Sequence, residues 1–383
     1  MANMRIGIDI RPLLDSARSG IGEYTQNLLK AIFETDKTNQ YFLFYNVWNK
    51  NLEKNLPKFD FPDVKWCATR WPNKVFNFSG RIFGFPKFDK IIEHRFKIKL
   101  DLFFCPNFGF ISLSKNIKKI VVAHDLSFLV NSDWFSLKRK LWHKTIGAKR
   151  YFKTADSIVA VSENTKRDLV DFYNISEEKI KVIYPGIKEV KPQEIGILKK
   201  FDLPAKFIFY LGTIEPRKNV LGIIKAFEAW KNNSKIADDY FLVLAGARGW
   251  LSGDVWKAIA DSPFKNKIKY LGYVAEEDKF ALYHSASLFL YPSFYEGFGL
   301  PPLEAMSCGV PVIASANSSF PEVLGDAAFL VNPYDLNDIA NGIEEVLSNQ
   351  TFRELLIKKG EERVEKFSWQ KAAEEWTDLV NRL

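Results

Sequence analysis

At 383 residues and 47% hydrophobic, the chain has material for two cores rather than one. Its three cysteines, Cys67, Cys105 and Cys308, are odd in number and sit in or beside apolar segments, so they read as reduced core thiols of a cytosolic protein rather than a disulfide frame or metal site. No apolar run approaches the ~18–20 residues of a membrane span. The opening MANMRIGIDIRPLL lacks a signal-peptide layout. The net charge of +8 is uneven: Met1 to Val190 carries 32 Lys/Arg against 20 Asp/Glu and the remainder 22 against 26, which suggests different partners for the two halves.

In chain order, Arg5 to Ile10 is a short apolar strand. The loop Arg18-Ser-Gly20-Ile-Gly22-Glu-Tyr follows, and Tyr24 to Phe33 has helical spacing. Strand, glycine turn and helix form an anion-binding layout. It is not a dinucleotide fingerprint, because Thr25 stands where a third glycine would fall, and a plain tight turn is the alternative. Tyr41 to Tyr45 and Val64 to Ala68 are further strands. Residues 70–99 then hold eight Lys/Arg, two acids and seven Phe/Trp, and 138–153 hold seven Lys/Arg and no acid, with Trp134, Phe135 and Trp142 nearby. Two readings stay open: an interfacial surface facing anionic lipid, or solvated helices whose aromatics fill a core. No RNA- or DNA-binding motif supports nucleic acid as the partner.

Leu102 to Cys105 and Lys119 to Ala123 are strands, the second ending in His124-Asp125. A lone histidine is usually structural, but the carboxyl end of a parallel strand is where open α/β sheets bind ligands. His94, His143 and His284 fall in helical patterns. Ser157 to Val161 is a buried strand, and Ser162 suits the cap of the helix after it. Lys181 to Tyr184 is the last strand of a first domain, residues 1–190, and 191–205 read as linker.

The second domain, 206–366, opens with the strand Phe207 to Gly212. In Thr213-Ile-Glu-Pro-Arg217-Lys218-Asn219, two cations stand between a strand end and a helix start, where they suit a diphosphate or a solvated cap. Tyr240 to Ala245 ends in Gly246-Ala-Arg248-Gly, and Ile268 to Leu271 ends in Gly272-Tyr273-Val274. Leu288 to Tyr291 is a buried strand. Ser293 to Gly299 is a loop, Pro301 and Pro302 suit a first helical turn, and Val310 to Ala314 is the next strand. Ala316 to Phe320 and Phe329 to Val331 complete the sheet, Asp335 to Leu347 and Phe352 to Lys366 are helices, and 367–383 form a last amphipathic helix. The N–H groups of the loop and first turn suit an anion. Glu296 and Glu304, eight positions apart, are suited to hydroxyls rather than phosphate. This reads as a pocket for a phosphorylated, hydroxyl-rich ligand; a β-α-β packing unit with Glu304 on a helix surface is the alternative. There is no D-x-D triplet and no H-E-x-x-H, which speaks against metal-dependent transfer and zinc hydrolysis.

Glu296-Gly-Phe-Gly-Leu-Pro-Pro-Leu-Glu304, continued by Ala-Met-Ser-Cys-Gly-Val-Pro-Val, resembles the E-x7-E signature of retaining GT-B glycosyltransferases, and most closely family 4. The resemblance implies an α/β fold of two Rossmann-like domains facing a cleft, with the last helix crossing back to the first domain. It implies that Gly20 and Gly22 approach the donor diphosphate, that His124 contacts the donor sugar, and that Arg217 and Lys218 stabilise the departing nucleoside diphosphate. Tyr273 and Val274 would lie against the base. Glu296 would bind sugar hydroxyls and Glu304 the ribose, while Phe298, Gly299 and Leu300 would offer backbone N–H groups. Asp125, Ser162 and Arg248 are further candidates. No metal and no cofactor is expected beyond the nucleotide-sugar co-substrate.

The implied reaction is hexose transfer with retention to a hydroxyl acceptor, and no nucleophile is assigned. Ser318-Ser-Phe-Pro321-Glu322-Val with Gly325-Asp-Ala-Ala resembles the mannosyltransferase-like branch, which implies GDP-mannose. UDP- and ADP-sugars of glucose, galactose or GlcNAc stay open, as does a nucleotide-sugar-binding protein without catalysis. The acceptor expected is a lipid-linked or growing surface polysaccharide. The expected location is the cytoplasm, with peripheral contact to an anionic membrane through 70–99 and 134–153.

Overall fold

The computed structural model describes residues 3–14, 20–188 and 196–383. It divides into two compact units. The first comprises Met1–Leu126, Leu141–Gly186 and Ser368–Leu383, and the second Ser127–Lys140 and Ile187–Phe367.

In the first unit, strands β1 (Arg5–Asp9), β2 (Gln40–Asn46), β3 (Val64–Thr69), β4 (Leu102–Cys105), β5 (Lys118–Ala123), β6 (Ser157–Ala160) and β7 (Ile180–Val182) form one sheet in the order β3-β2-β1-β4-β5-β6-β7. Every pairing is parallel. Strands covered on both faces need unbroken apolar runs, and Phe42, Leu43 and Phe44 are fully buried. The helix Trp369–Asn381 packs on the helix Gly20–Thr35 and buries Ala372, Ala373, Trp376 and Val380, a stripe at helical spacing.

In the second unit, β8 (Phe207–Leu211), β9 (Phe241–Ala245), β10 (Ile268–Tyr270), β11 (Leu288–Tyr291), β12 (Val312–Ser315) and β13 (Phe329–Val331) form a parallel sheet in the order β10-β9-β8-β11-β12-β13. The two Rossmann-like α/β halves expected from the sequence are therefore present.

Four details differ from the sequence reading. Arg18 and Ser19 of the first glycine loop lie outside the described residues, and Gly20 and Gly22 belong to the first turn of the helix Gly20–Thr35 rather than to a loop. Of the expected linker, 191–195 lie outside the described residues, while Ile197–Lys200 is a helical turn whose Lys200 pairs with Asp278. Ala316 to Phe320 is not a strand: a helix starts at Phe320, with Pro321 in its first turn, because proline cannot donate to a ladder but costs nothing there. Finally, Ser127–Lys140 packs in the second unit although the chain on both sides of it belongs to the first.

Candidate active site

In the second sheet, β9 and β10 lie to one side of β8, and β12 and β13 lie beyond β11. The chain direction of winding reverses between β8 and β11, and ligands of such sheets bind beyond the carboxyl ends of the strands at that point. The segments leaving these two strand ends carry Arg217 and Lys218 on one and Glu296 on the other.

Pro216–Lys218 is a single 3-10 turn with proline at its start. Asn219 closes it in the left-handed region, with φ of 56°. The Asn219 side chain donates to the carbonyls of Pro292 (3.0 Å) and Pro333 (2.8 Å), and the Phe294 N–H donates to the Arg217 carbonyl (2.9 Å). These bonds bring the basic turn against the Glu296 loop. Lys218 Nζ then donates to Glu296 Oε1 (2.5 Å) and to the Tyr291 hydroxyl (2.7 Å). Arg217 Nη1 donates to Glu296 Oε2 (2.8 Å) and to the Tyr295 carbonyl (2.9 Å), and its Nε to Glu215 Oε1 (3.2 Å). The Glu296 side chain is 8% exposed, and that of Glu215 5%.

The four charges balance, two of each sign, which is how buried ions survive desolvation. Burial alone would raise the Glu296 carboxyl, but Arg217 and then Lys218 overrule it and hold it at about 2. Glu296 is thus ionised at neutral pH. Such a carboxylate is a poor general base and cannot be a general acid. It can accept hydrogen bonds from hydroxyls. Burial lowers the Lys218 ammonium from its ordinary value, with Glu296 opposing.

Gly299 has φ of +90° and caps the helix Leu300–Ser307; a Cβ there would collide with the Phe320 ring. Phe298 is buried, and its carbonyl accepts from Ser319 Oγ (2.9 Å). On the same helix, Glu304 accepts from Lys279 Nζ (2.8 Å) and from the Tyr283 hydroxyl (3.1 Å), two side chains one helical turn apart on Glu276–Ser285. The alternative of Glu304 as a solvated helix-surface residue therefore does not hold.

In the first unit, His124 follows β5. Its Nε2 lies 2.7 Å from the Pro106 carbonyl, so that nitrogen carries the proton and Nδ1 is the acceptor. The ring stands edge-on to Tyr24, with centroids 4.8 Å apart. Burial lowers its pKa against the opposing pull of the Pro106 carbonyl and Asp125, so the ring is neutral at pH 7.

The remaining candidates divide. Ser162 is fully buried and accepts from Thr165 N (3.0 Å), which makes it a helix cap. The Arg248 guanidinium lies over the rings of Trp256 (4.3 Å) and Tyr270 (5.6 Å). After β10, Tyr273 is exposed and Val274 buried. Sequence reasoning missed Glu215, Tyr291, Lys279 and Tyr283. Glu215 stands two residues before Arg217, a signal that could have found it; Tyr291 and Tyr283 read only as apolar positions.

The family described as "Glycosyl transferases group 1" matches residues 197–363, and "Glycosyltransferase Family 4" matches residues 20–190. An O-antigen chain mannosyltransferase B of Escherichia coli is 32% identical over 66% of this chain and 67% of its own. The serotype-specific mannosyltransferase WbdA of Escherichia coli is 31% identical over 67% of this chain, which spans about a third of WbdA (32%). Among solved structures, the sucrose-phosphate synthase of Thermosynechococcus elongatus superposes with a TM-score of 0.77 at 20% identity, covering 99% of each chain. With both halves matched and a relative followed over two thirds of its length, the chain belongs to the family 4, group 1 glycosyltransferases and is an enzyme of that kind.

Proposed function

We propose that the enzyme transfers a hexose, mannose from GDP-mannose in the first instance, to a hydroxyl of a growing or lipid-linked surface polysaccharide, with retention at the anomeric carbon. The second unit takes the donor and the basic first half of the chain the acceptor. The observation that carries this reading is the buried Glu296 carboxylate fixed between Arg217 and Lys218 at the sheet's switch point. It offers an ionised acceptor for sugar hydroxyls beside two cations for a diphosphate, and those cations stabilise the leaving group without a metal. Held by two cations, the ionised Glu296 is a poor base, which leaves the departing diphosphate as the group to take the acceptor's proton. The relatives named as O-antigen chain and serotype-specific mannosyltransferases support mannose and a polysaccharide acceptor. The same site would serve a UDP- or ADP-sugar, since neither the cations nor Glu304 reads the base.

Membrane contact is the finer part of the proposal. On the helix Leu137–Ile146, which buries no residue, Leu137 (83% exposed) and Leu141 (66%) share a face, with Trp142, Lys138 and Lys144 beside them. Phe83 and Phe85 are also exposed. Trp134 and Phe135, counted in this surface from the sequence, are buried and drop out of it. Among the described residues no helix is long and apolar enough to cross a membrane.

The test is metal-free turnover with GDP-mannose, UDP-glucose and ADP-glucose on a mannan-type acceptor, with proton NMR of the new linkage. An α-linked mannoside from GDP-mannose in EDTA supports the proposal. An inverted product, or no turnover with any donor, overturns it. Flotation with anionic liposomes tests the membrane surface; protein that stays at the bottom of the gradient removes it.

A further inference from the structure

The segment Ser127–Lys140 begins three residues after His124, yet it packs within the second unit. It meets the loop that carries Glu296. Trp134 and Phe135 are buried with Tyr295 in one aromatic cluster, against which Phe128, Trp250 and Phe294 pack. The Trp134 ring stacks on Phe294 at 6.1 Å and 6°, and Phe294 stacks in turn on Tyr334 at 4.9 Å and 24°. The Trp134 carbonyl accepts from the Trp250 indole N–H (2.7 Å), and Arg139 covers the Trp250 ring at 3.6 Å. The segment is thereby fastened at its backbone as well as through its side chains.

The loop needs such a restraint. Gly297 and Gly299, the residue type with the widest backbone choice, follow Glu296, whose own N–H donates to Ser318 Oγ (3.1 Å). Arg217 holds the Tyr295 carbonyl and the Glu296 carboxylate from the basic turn. Nothing in that pairing fixes the ring of Phe294, whose backbone is held through its N–H and carbonyl. The Trp134 and Tyr334 rings stack on it.

We propose that Ser127–Lys140 is a clamp on the catalytic loop and that Trp134 is a positioning residue for Glu296. This rests on the reading of Glu296 as a sugar-binding group. Trp134 acts through Phe294 and Tyr295 and does not touch the donor. Losing it lets the carboxylate drift, and a displacement of about 1 Å costs on the order of a hundredfold in rate. Nucleotide affinity, which depends on Arg217, Lys218 and Glu304, is unaffected.

The experiment compares Trp134→Ala, Trp134→Phe, Trp250→Phe and Glu296→Ala in the full chain, with the sugar nucleotide that the wild type turns over and with GDP or UDP as binding probe. For Trp134→Ala, kcat falls about 10–100-fold, nucleoside diphosphate affinity stays within about twofold, and Trp134→Phe recovers most of kcat. Trp250→Phe keeps the ring but removes the indole N–H, and lowers kcat by a smaller factor. The inference is overturned if Trp134→Ala folds with wild-type kcat, or if kcat and nucleotide affinity fall together and Trp134→Phe restores neither. Should Trp134→Ala not fold, unchanged kcat in Trp250→Phe overturns it. Glu296→Ala separates the two levels: full activity there defeats the reading of Glu296 itself, whereas inactivity there beside a fully active Trp134→Ala defeats only the clamp.

Discussion

Each sheet has its own switch point, and the two are furnished differently. At the second, between β8 and β11, four charged side chains meet: the buried Glu215 and Glu296 and the partly buried Arg217 and Lys218. At the first, between β1 and β4, Asp9, at the end of β1, holds Arg11 two residues on at 2.7 Å, a local pair rather than a network among the described residues. One strand over, His124 is neutral and its ring proton is committed to a carbonyl. The same topology thus carries two different electrostatic settings. A dense ionic network suits a ligand whose own charge changes during reaction, and a neutral ring suits a hydroxyl.

The sharpest way to break this contrast is to remove the centre of the ionic network. Glu296→Ala leaves Lys218 without its carboxylate and Arg217 with that of Glu215, and kcat is expected to fall by about 10²–10³-fold, the scale of losing a preorganised electrostatic contact. Glu296→Gln keeps the shape and should fall nearly as far. Removing the corresponding neutral group should cost less: His124→Ala is expected to lower kcat about 100-fold, the lower end of what one positioned side chain contributes, with GDP affinity within about twofold. A steady-state series with both variants and a calorimetric GDP titration measures each. If His124→Ala costs more than Glu296→Ala, the two switch points have been assigned the wrong way round.

The pH dependence separates them further. The folded-state pKa of Glu296, about 2, lies below its ordinary 4.5. A depressed carboxylate contributes stability above the unfolded pKa and loses it as pH falls through the folded one. This share, about 3 kcal/mol by the shift, should therefore drain away between about pH 4.5 and 2. Thermal melts of the wild type and Glu296→Gln across that window check it, and the variant's curve should be flatter. The smallest effect is at Ser162, where Ser162→Ala should cost about 1 kcal/mol as a lost cap while leaving kcat unchanged. A kcat change there would return Ser162 to the site.

The strands were legible because parallel strands buried on both faces are unbroken apolar runs. Leu102–Cys105 was read to the residue, and β8 to within one. The E-x7-E stretch was legible as strand, loop, proline-started helix and strand for the same local reasons. The partners were not. Glu296 meets Lys218 across 78 positions, and Glu304 meets Lys279 across 25, separations that no periodicity encodes. The affiliation of Ser127–Lys140 was illegible too, because its aromatics read as core without stating whose core. The sequence sets Arg217 and Lys218 against phosphate, and in the structure both also engage Glu296, so a bound diphosphate has to share them with it.

The most direct measurement is a calorimetric titration of GDP-mannose, without metal, into the wild type and Lys218→Ala. Micromolar binding by the wild type, weakened tenfold or more in the variant, is the result expected of a donor site built on the β8–β11 switch point. Equal binding by both proteins, or none by the wild type to any nucleotide sugar, would contradict it.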